Sequence, residues 1–302
     1  MRYNMNYEYY KIFYFVGKHK NITKAAAELY SSQPAVTRAI QNLENELNCR
    51  LFVRNKTGVE FTHEGRTLFD YVSVAQSQLL KGEEEVSRAV SVESGTVYLA
   101  TTVTALYGFL FEFLDEFHMK KFPGVKFKIS TGSTNSCIEQ LRKGIADLAF
   151  VSTPCGALKD LNRVDIKKFG DMLIAGNKFT ELKGKTLKSE DLKKYPLVCL
   201  RRSMQLRQFI DSVMEENGLT VAPDIEADSA DLIVPMVGHN FGLGFAPADM
   251  AKPAIDSGEV FEVKLETPLP SRKICLISDP HHPHTGASRE LYRTVVNSVK
   301  PV

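Results

Sequence analysis

Apolar residues in the first part of the chain recur at intervals of three and four, the period of helices that bury one face. From Tyr7 to His19, the residues Tyr10, Phe13, Tyr14 and Val16 form such a face. A second, short helix is expected over Lys24 to Tyr30, with Thr23 capping it through a hydroxyl that accepts a free N–H of the first turn. Ala25, Ala26 and Ala27 give that helix a small-residue side on which a neighbour can pack closely. Ser31 and Ser32 form a break, and Ser32 caps a third helix with Pro34 in its first turn, where a missing N–H costs little. Val36, Ile40, Leu43 and Leu47 face inward along it, and Asn48, which tolerates left-handed backbone, stops it. Leu51 to Thr62 then alternates loosely about Lys56-Thr57-Gly58, as a β-hairpin does.

A longer pattern follows. Between Glu64 and about Ser91, the residues Leu68, Val72, Ala75, Leu79, Gly82, Val86 and Ala89 alternate spacings of four and three, the repeat of a coiled-coil seam. Roughly thirty helical residues would extend about 45 Å. That is too long to bury in one small domain, so pairing with the same helix of a second copy is expected. Gly82 interrupts the seam and marks a bend or a close crossing of helices.

From Gly95 the chain changes character and repeats itself. Val97 to Val103 reads as a buried strand, followed by an apolar helix over Ala105 to Lys121, the strand Val125 to Thr131, a helix over Cys137 to Lys143 and the strand Ala146 to Ser152. A second pass begins after Pro196, with a strand at Leu197, a helix over Leu206 to Asn217, a short strand at Ile225, a helix over Ala230 to Val237 and a strand from Gly244. Two copies of strand–helix–strand–helix–strand predict two α/β lobes with parallel sheets. Asp165 to Ala175 and Val260 to Leu276 are strand-like segments suited to cross between the lobes as hinges, and a final helix, Ala287 to Lys300, returns to the first lobe. The expected organisation is a winged helix-turn-helix over 1–62, a dimerising linker helix over 63–93 and a two-lobed α/β domain over 94–302. Within the last, lobe I takes about 94–168 and 268–302, and lobe II about 169–267.

Composition narrows the partners. The 302 residues are 43% hydrophobic and 25% charged, with a net charge of +2, so any nucleic-acid footprint is local rather than global. Lys and Arg are in excess before about Thr62, whereas Glu64, Asp70, Glu83, Glu84, Glu85 and Glu93 outnumber Arg66, Lys81 and Arg88 in the next segment. Cys49, Cys137, Cys155, Cys199 and Cys275 are odd in number, scattered and without a CxxC pair, and read as free thiols of a reducing cytoplasm, with a redox-sensing thiol the minority reading. No apolar run has the length of a membrane span, and Met1 leads straight to the first helix without a signal peptide; a soluble, cytoplasmic protein is expected.

Candidate chemistry lies in two places. The outward face of the third helix carries Gln33, Thr37, Arg38, Gln41 and Asn42, hydrogen-bonding groups with one cation. Such a face suits the major groove of DNA, where base edges present donors and acceptors beside phosphates; a helical hairpin with a solvated face is the plain alternative. Arg54, Asn55 and Lys56 form a basic hairpin tip of the kind that reaches the backbone or the minor groove. The expected DNA contacts are Thr23, Ser32, Gln33, Pro34, Thr37, Arg38, Gln41, Arg54 and Lys56. In the second half, ligands are expected beyond the strand ends, where helix N-termini present N–H groups. Thr101, Thr102, Thr104, Ser133, Thr134 and Ser152 stand at those ends in one lobe, and Arg201, Arg202, Ser203 and Phe245 in the other. Hydroxyls with one or two guanidiniums suit a carboxylate or other small anion, while Ser and Thr also serve as plain helix caps and either arginine as a solvated side chain.

No catalytic constellation is apparent: there is no GxSxG elbow or Walker A loop, and Gly242 to Pro247 lacks the third glycine of a dinucleotide loop. His281-His282-Pro283-His284 has no Cys or carboxylate cluster at zinc spacing, so neither a metal nor a cofactor is expected.

The run Ala25 to Arg54, of the form AAxxLxxSQPAVTRxIxxLExxLxxxLFxR and continued by FTHEGRTLF over Phe61 to Phe69, resembles the LysR-type transcriptional regulators. Asn48 stands where that family usually has Gly, Thr37 where Ser is common, and Lys56 near a position that is often Arg. The resemblance implies a ligand-responsive, DNA-binding regulator with no enzymatic activity, and an effector domain similar to periplasmic solute-binding proteins. Its implied partners are double-stranded DNA, a small-molecule effector (an anion by the residues above), further copies of the chain as homodimer or homotetramer, and RNA polymerase. The competing class is a small-molecule binding protein or enzyme whose N-terminal module does not read sequence.

Overall fold

The computed structural model describes residues 6–55, 58–87, 94–282 and 286–299. The chain divides into two compact units, Met1–Ala89 and Val90–Val302.

The first unit is helical with a small hairpin. Helices α1 (Tyr7–His19), α2 (Ile22–Glu28) and α3 (Gln33–Leu47) precede strands β1 (Phe52–Asn55) and β2 (Gly58–Phe61) and the helix α4 (His63–Ser87). Their core gathers Phe13, Val16, Ala25, Ala26, Val36, Ile40, Leu43, Leu51 and Val59, with Phe52, Phe61 and Phe69 closing around Phe13. The cap of α2 is Asn21, whose side chain accepts from the Lys24 N–H at 3.0 Å, and not Thr23. Starting two residues earlier lets half-buried Ile22 join the core and leaves Thr23 exposed inside the first turn. Ser32 caps α3 by accepting from the Ala35 N–H, and Asn48 ends it in left-handed backbone, φ 52°.

Two inward assignments change. Ala27 is exposed while Ala25 and Ala26 are buried, because three consecutive helical residues cannot share one face. Leu47 is 39% exposed and Glu44 is buried instead. The Glu44 carboxylate accepts from Arg50 Nη1 at 2.9 Å, the Leu51 N–H at 2.8 Å and the Phe52 N–H at 3.3 Å, fixing the start of the hairpin to α3. At Gly65 a Cβ would lie 1.9 Å from the Leu51 carbonyl oxygen, so only glycine lets α4 begin against the hairpin.

Helix α4 is shared between two environments. Leu68 and Val72 of the expected seam pack into the unit's own core, whereas Ala75, Leu79 and Gly82 are exposed. Gln76, buried between them, accepts from the Tyr7 hydroxyl at 2.8 Å. Ala89, Ser91 and the side chain of Val86 lie outside the described residues.

The second unit contains two sheets. The first has the order β4-β3-β5-β13-β6, from β3 (Ser94–Thr101), β4 (Gly124–Thr131), β5 (Leu148–Ser152), β6 (Asn162–Phe169) and β13 (Arg272–Ser278). The second has the order β10-β9-β11-β7-β12-β8, from β7 (Asp171–Gly176), β8 (Thr186–Leu187), β9 (Leu197–Leu200), β10 (Ile225–Ala227), β11 (Leu243–Pro247) and β12 (Val260–Leu265). The expectation of parallel sheets holds for β4, β3 and β5 and for β10, β9 and β11. It fails where the chain changes lobe: β13 runs antiparallel to β5 and β6, and β7 antiparallel to β11 and β12. A strand entering from the other lobe arrives at the ligand-facing end of the sheet, so it must run against the parallel strands.

Helices cover both sheets. In lobe I these are α5 over 103–121, widened to π turns at Leu106–Leu110 and Phe117–Lys121, then α6 (Thr134–Arg142) and the terminal α10 (Gly286–Ser298). Leu106, Leu110, Phe117, Leu291 and Val295 share one core with Val97, Leu99 and Phe150. Lobe II carries α7 (Gln205–Glu216), α8 (Ile233–Gly238) and α9 (Ala248–Asp256). The strand expected from Gly244 ends at Pro247, and α9, which the sequence pattern does not predict, follows it directly.

Candidate functional sites

In the first unit, Ser32, Gln33, Pro34, Arg38 and Gln41 are exposed along α3 and Thr37 is half-buried. Arg38 enters none of the ion pairs among the described residues. Thr37 and Gln41 line a groove between α3 and the hairpin together with Arg50, Val53 and Val59. Asn42 turns aside to donate to the Tyr9 hydroxyl at 3.0 Å. On the hairpin, Arg54 lies on β1 opposite Val59; Lys56 is outside the described residues. An exposed helix whose polar side chains flank a two-stranded wing can enter a major groove while the wing follows the backbone. Tyr30, which sequence reasoning passed over, is 99% exposed at the turn before α3, in left-handed backbone with φ 50°.

In the second unit a cleft of about 330 Å³ opens between the lobes. Thr102, Thr104, Ser133, Thr134, Ser152, Arg201 and Ser203 of the expected residues line it. The N-terminal residues of three helices meet there: Thr102 accepts from the Ala105 N–H at the start of α5, Ser133 accepts from the Ser136 N–H at the start of α6, and α7 begins at Gln205 without a side-chain cap. These ends concentrate N–H donors and the positive ends of helix dipoles on one space.

Three expected residues stand elsewhere. Phe245 is buried in the core of lobe II with Leu173, Leu197 and Leu243, because residues alternate sides along β11. Thr101 is buried and its hydroxyl turns back to the Thr102 carbonyl at 3.1 Å. Arg202 is exposed and off the lining, its carbonyl accepting from Gln208 Nε2 at 3.1 Å. Arg201 is therefore the arginine that faces the cleft, 3.8 Å from Asp228 with both side chains largely exposed. An ion pair this long and this exposed restrains its guanidinium weakly.

Sequence reasoning missed the floor and the bridge of the cleft. Arg272 is 2% exposed, and its guanidinium makes a two-point contact with Asp171 at 2.5 and 2.7 Å. It also donates to Ser152 Oγ at 3.3 Å and to the Thr153 carbonyl at 3.0 Å, and its plane lies 4.5 Å from the Phe169 ring centroid. Asp171 and Arg272 each begin a strand just after a crossing between lobes, so the pair pins the two hinges together. Across the mouth, Gln205 Nε2 of lobe II donates to Asn135 Oδ1 of lobe I at 2.8 Å. The other amide atom, Gln205 Oε1, is buried with no partner among the described residues. Only the pairing of strands distant in sequence brings these residues together, and no local motif announces it.

Among the described residues no helix is long and apolar enough to cross a membrane, and no His, Cys, Asp and Glu cluster could hold a metal ion. His282 Nδ1 instead lies 3.0 Å from Asp279 Oδ2, while Pro283 and His284 are outside the described residues.

A winged helix-turn-helix followed by a two-lobed domain with a ligand-sized cleft defines a DNA-binding regulator with a sensing domain. The chain matches the bacterial regulatory helix-turn-helix family of the lysR type over residues 8–66 and the LysR substrate binding domain over residues 91–300. It belongs to the LysR family of transcriptional regulators, and its function is transcriptional regulation, not catalysis. It is 28% identical to the HTH-type transcriptional regulator CzcR of Bacillus subtilis (strain 168), over 95% of each chain. It is 29% identical to the HTH-type transcriptional regulator CysB of Haemophilus influenzae (strain ATCC 51907 / DSM 11121 / KW20 / Rd), over 80% of this chain and 75% of that one. The fold is similar to that of CbnR, a LysR family transcriptional regulator, with a TM-score of 0.77 at 20% identity over 98% of this chain and 100% of that one. CbnR complexed with its target DNA gives 0.76 at 19% identity, over the same shares of the two chains.

Proposed function

We propose that this regulator binds promoter DNA as a homo-oligomer and senses a small organic acid or other small anion in the inter-lobe cleft. The observation that carries the ligand class is the convergence of three helix N-termini, with Arg201 as the cation facing them. Arg272 contributes no net charge, since Asp171 neutralises it at two points. Gln205 Oε1 would take an N–H or O–H of the ligand, and the Gln205–Asn135 bridge would report whether the lobes close on it. Regulation then requires that the ligand favour one arrangement of lobes over another.

In the same reading, residues 1–62 bind DNA, 63–93 pair two copies and 94–302 sense the ligand. Thr37, Arg38, Gln41 and the exposed end of α3 read the major groove, and the wing follows the phosphates. The exposed half of α4, with Ala75, Leu79 and Gly82, supplies the pairing surface. RNA polymerase is the partner through which bound dimers or tetramers would act.

The test is thermal denaturation of the full chain against small carboxylic acids and their uncharged amides. The expected result is stabilisation by at least one acid and not by its amide, lost in Arg201→Ala. Stabilisation by the amides alone, or acid binding indifferent to Arg201, overturns the anion assignment. Gel shifts with the chain's own upstream region test the DNA reading, and equal affinity for scrambled duplexes overturns it.

A further inference from the structure

Lobe I contains a second chemical site, apart from the cleft's ligand-facing groups. Cys155 follows β5 and Cys275 lies within β13, and both enter the apolar cluster beneath α6. In register, Cys275 stands opposite Asp165 of β6. Its Sγ donates to Asp165 Oδ1 at 3.3 Å, while Arg163 Nη1 donates to Cys155 Sγ at 3.5 Å. Both thiols therefore border the same Arg163–Asp165 ion pair. Arg163 Nε meets Asp165 Oδ1 at 2.7 Å, and Lys273 Nζ meets Asp165 Oδ2 at 2.5 Å.

Cations outnumber carboxylates beside the two thiols. Arg163 and Lys273 share the single carboxylate Asp165, leaving an excess positive charge beside Cys155. The Cys155 thiol is held below the usual thiol range first by hydrogen bonding with Cys275, whose single S–H is shared between Cys155 and Asp165, with Arg163 assisting against burial. Cys275 is pushed up by the same hydrogen bond and by burial. Cys137, in the same cluster, and Cys199, in the core of lobe II, are pushed up to about 12 and about 11, chiefly by burial. The roles divide accordingly: Cys155 is the nucleophile and Cys275 the protonated neighbour.

We infer that Cys155 and Cys275 form an oxidisable dithiol site whose substrate is a small hydroperoxide. Access favours a reagent of that size, because Cys155 is only 4% exposed and Cys275 is fully buried. The Cys155 thiolate attacks one peroxide oxygen; an S–O bond forms, the O–O bond breaks, and the hydroxide or alkoxide released takes a proton from water. The sulfur of Cys275 then gives up its proton and attacks the Cys155 sulfenic sulfur. An S–S bond forms, the S–O bond breaks, and hydroxide leaves with that proton as water. The peroxide gains the two electrons that the two thiols lose. The new bond ties the segment next to Pro154, which lines the cleft, to the strand that begins at Arg272.

The experiment uses the reduced full-length protein, treated with hydrogen peroxide and followed by peptide mass spectrometry. The expected product is a Cys155–Cys275 disulfide within one chain, with Cys137 and Cys199 still reduced. Cys275→Ser should stop at a Cys155 sulfenic acid that dimedone captures. Assayed at pH 5, below the Cys155 titration at about 6, Arg163→Met should slow the wild-type reaction about tenfold, as a thiol pKa one unit higher would, with Arg163→Lys in between. Circular dichroism verifies that each variant folds, and the two Cys155 products are scored independently of the Arg163 series. The proposal is overturned if peroxide leaves Cys155 reduced, oxidises it only to sulfinic acid, or reacts equally fast with folded Arg163→Met.

Discussion

Single side chains decide how the two sites are held. Glu44 was read as one member of a sequence motif, but its carboxylate is the joint between α3 and the hairpin, with three donors on two oxygens. Removing it strands the Leu51 N–H, which is buried with its residue. Glu44→Ala should therefore cost about 2–3 kcal/mol in urea denaturation, and a loss below about 0.5 kcal/mol would show that the joint is not structural. Arg38 makes the opposite case, because it is exposed and pairs with nothing described. If it meets a phosphate, Arg38→Ala should weaken binding to all duplexes alike and lower the salt slope by about one. A loss confined to one sequence would instead assign it to a base. The motif around these residues was legible because capping and periodicity are local. Glu44's burial was not, since its partners come from the hairpin that follows.

At the scale of elements, α4 shows where pattern reading reaches its limit. The four-and-three repeat gives a helix, and His63–Ser87 is one, of 25 residues or about 38 Å. The repeat does not say which part of the apolar stripe a neighbour covers. Phe61 and Phe69 pack with tilted rings, centroids 4.8 Å apart, and draw the first turns, through Val72, into the first unit's core. What remains open is the half around Leu79, 47% exposed, and Leu80, 46% exposed. The proposed pairing predicts that Leu79→Lys gives a monomer in light scattering while leaving the melting of the α/β unit unchanged. An oligomer that survives the substitution places the pairing surface elsewhere. Lobe II gives the matching lesson at α9: its sequence, Ala248–Asp256, contains Pro253 and follows the strand without a side-chain cap, so helix signals are weak. Packing of Ala251 into the core beside Val260 supplies what propensity does not.

Across the α/β unit, stability and sensing share the hinge. Asp171 and Arg272, 1% and 2% exposed, are a buried ion pair, and breaking such a pair costs more than deleting it whole. Arg272→Met or Asp171→Asn alone should cost about 3–5 kcal/mol, and the Asp171→Leu/Arg272→Met double variant should recover much of it. Additive losses in equilibrium unfolding would mean that the two groups are not coupled. The sequence by itself determined the winged helix-turn-helix, the long helix, the duplicated strand–helix order and most hydroxyls of the cleft. All of these rest on periodicity, caps and turns within a few residues of each other. Tertiary structure alone decided which arginine faces the cleft, that Phe245 belongs to the core, and that Arg272 meets Asp171 across the hinge. It also decided that Cys155 and Cys275, far apart in sequence, border one ion pair. Each of these depends on strand register between distant segments, and a one-residue change of register would turn every such side chain to the other face.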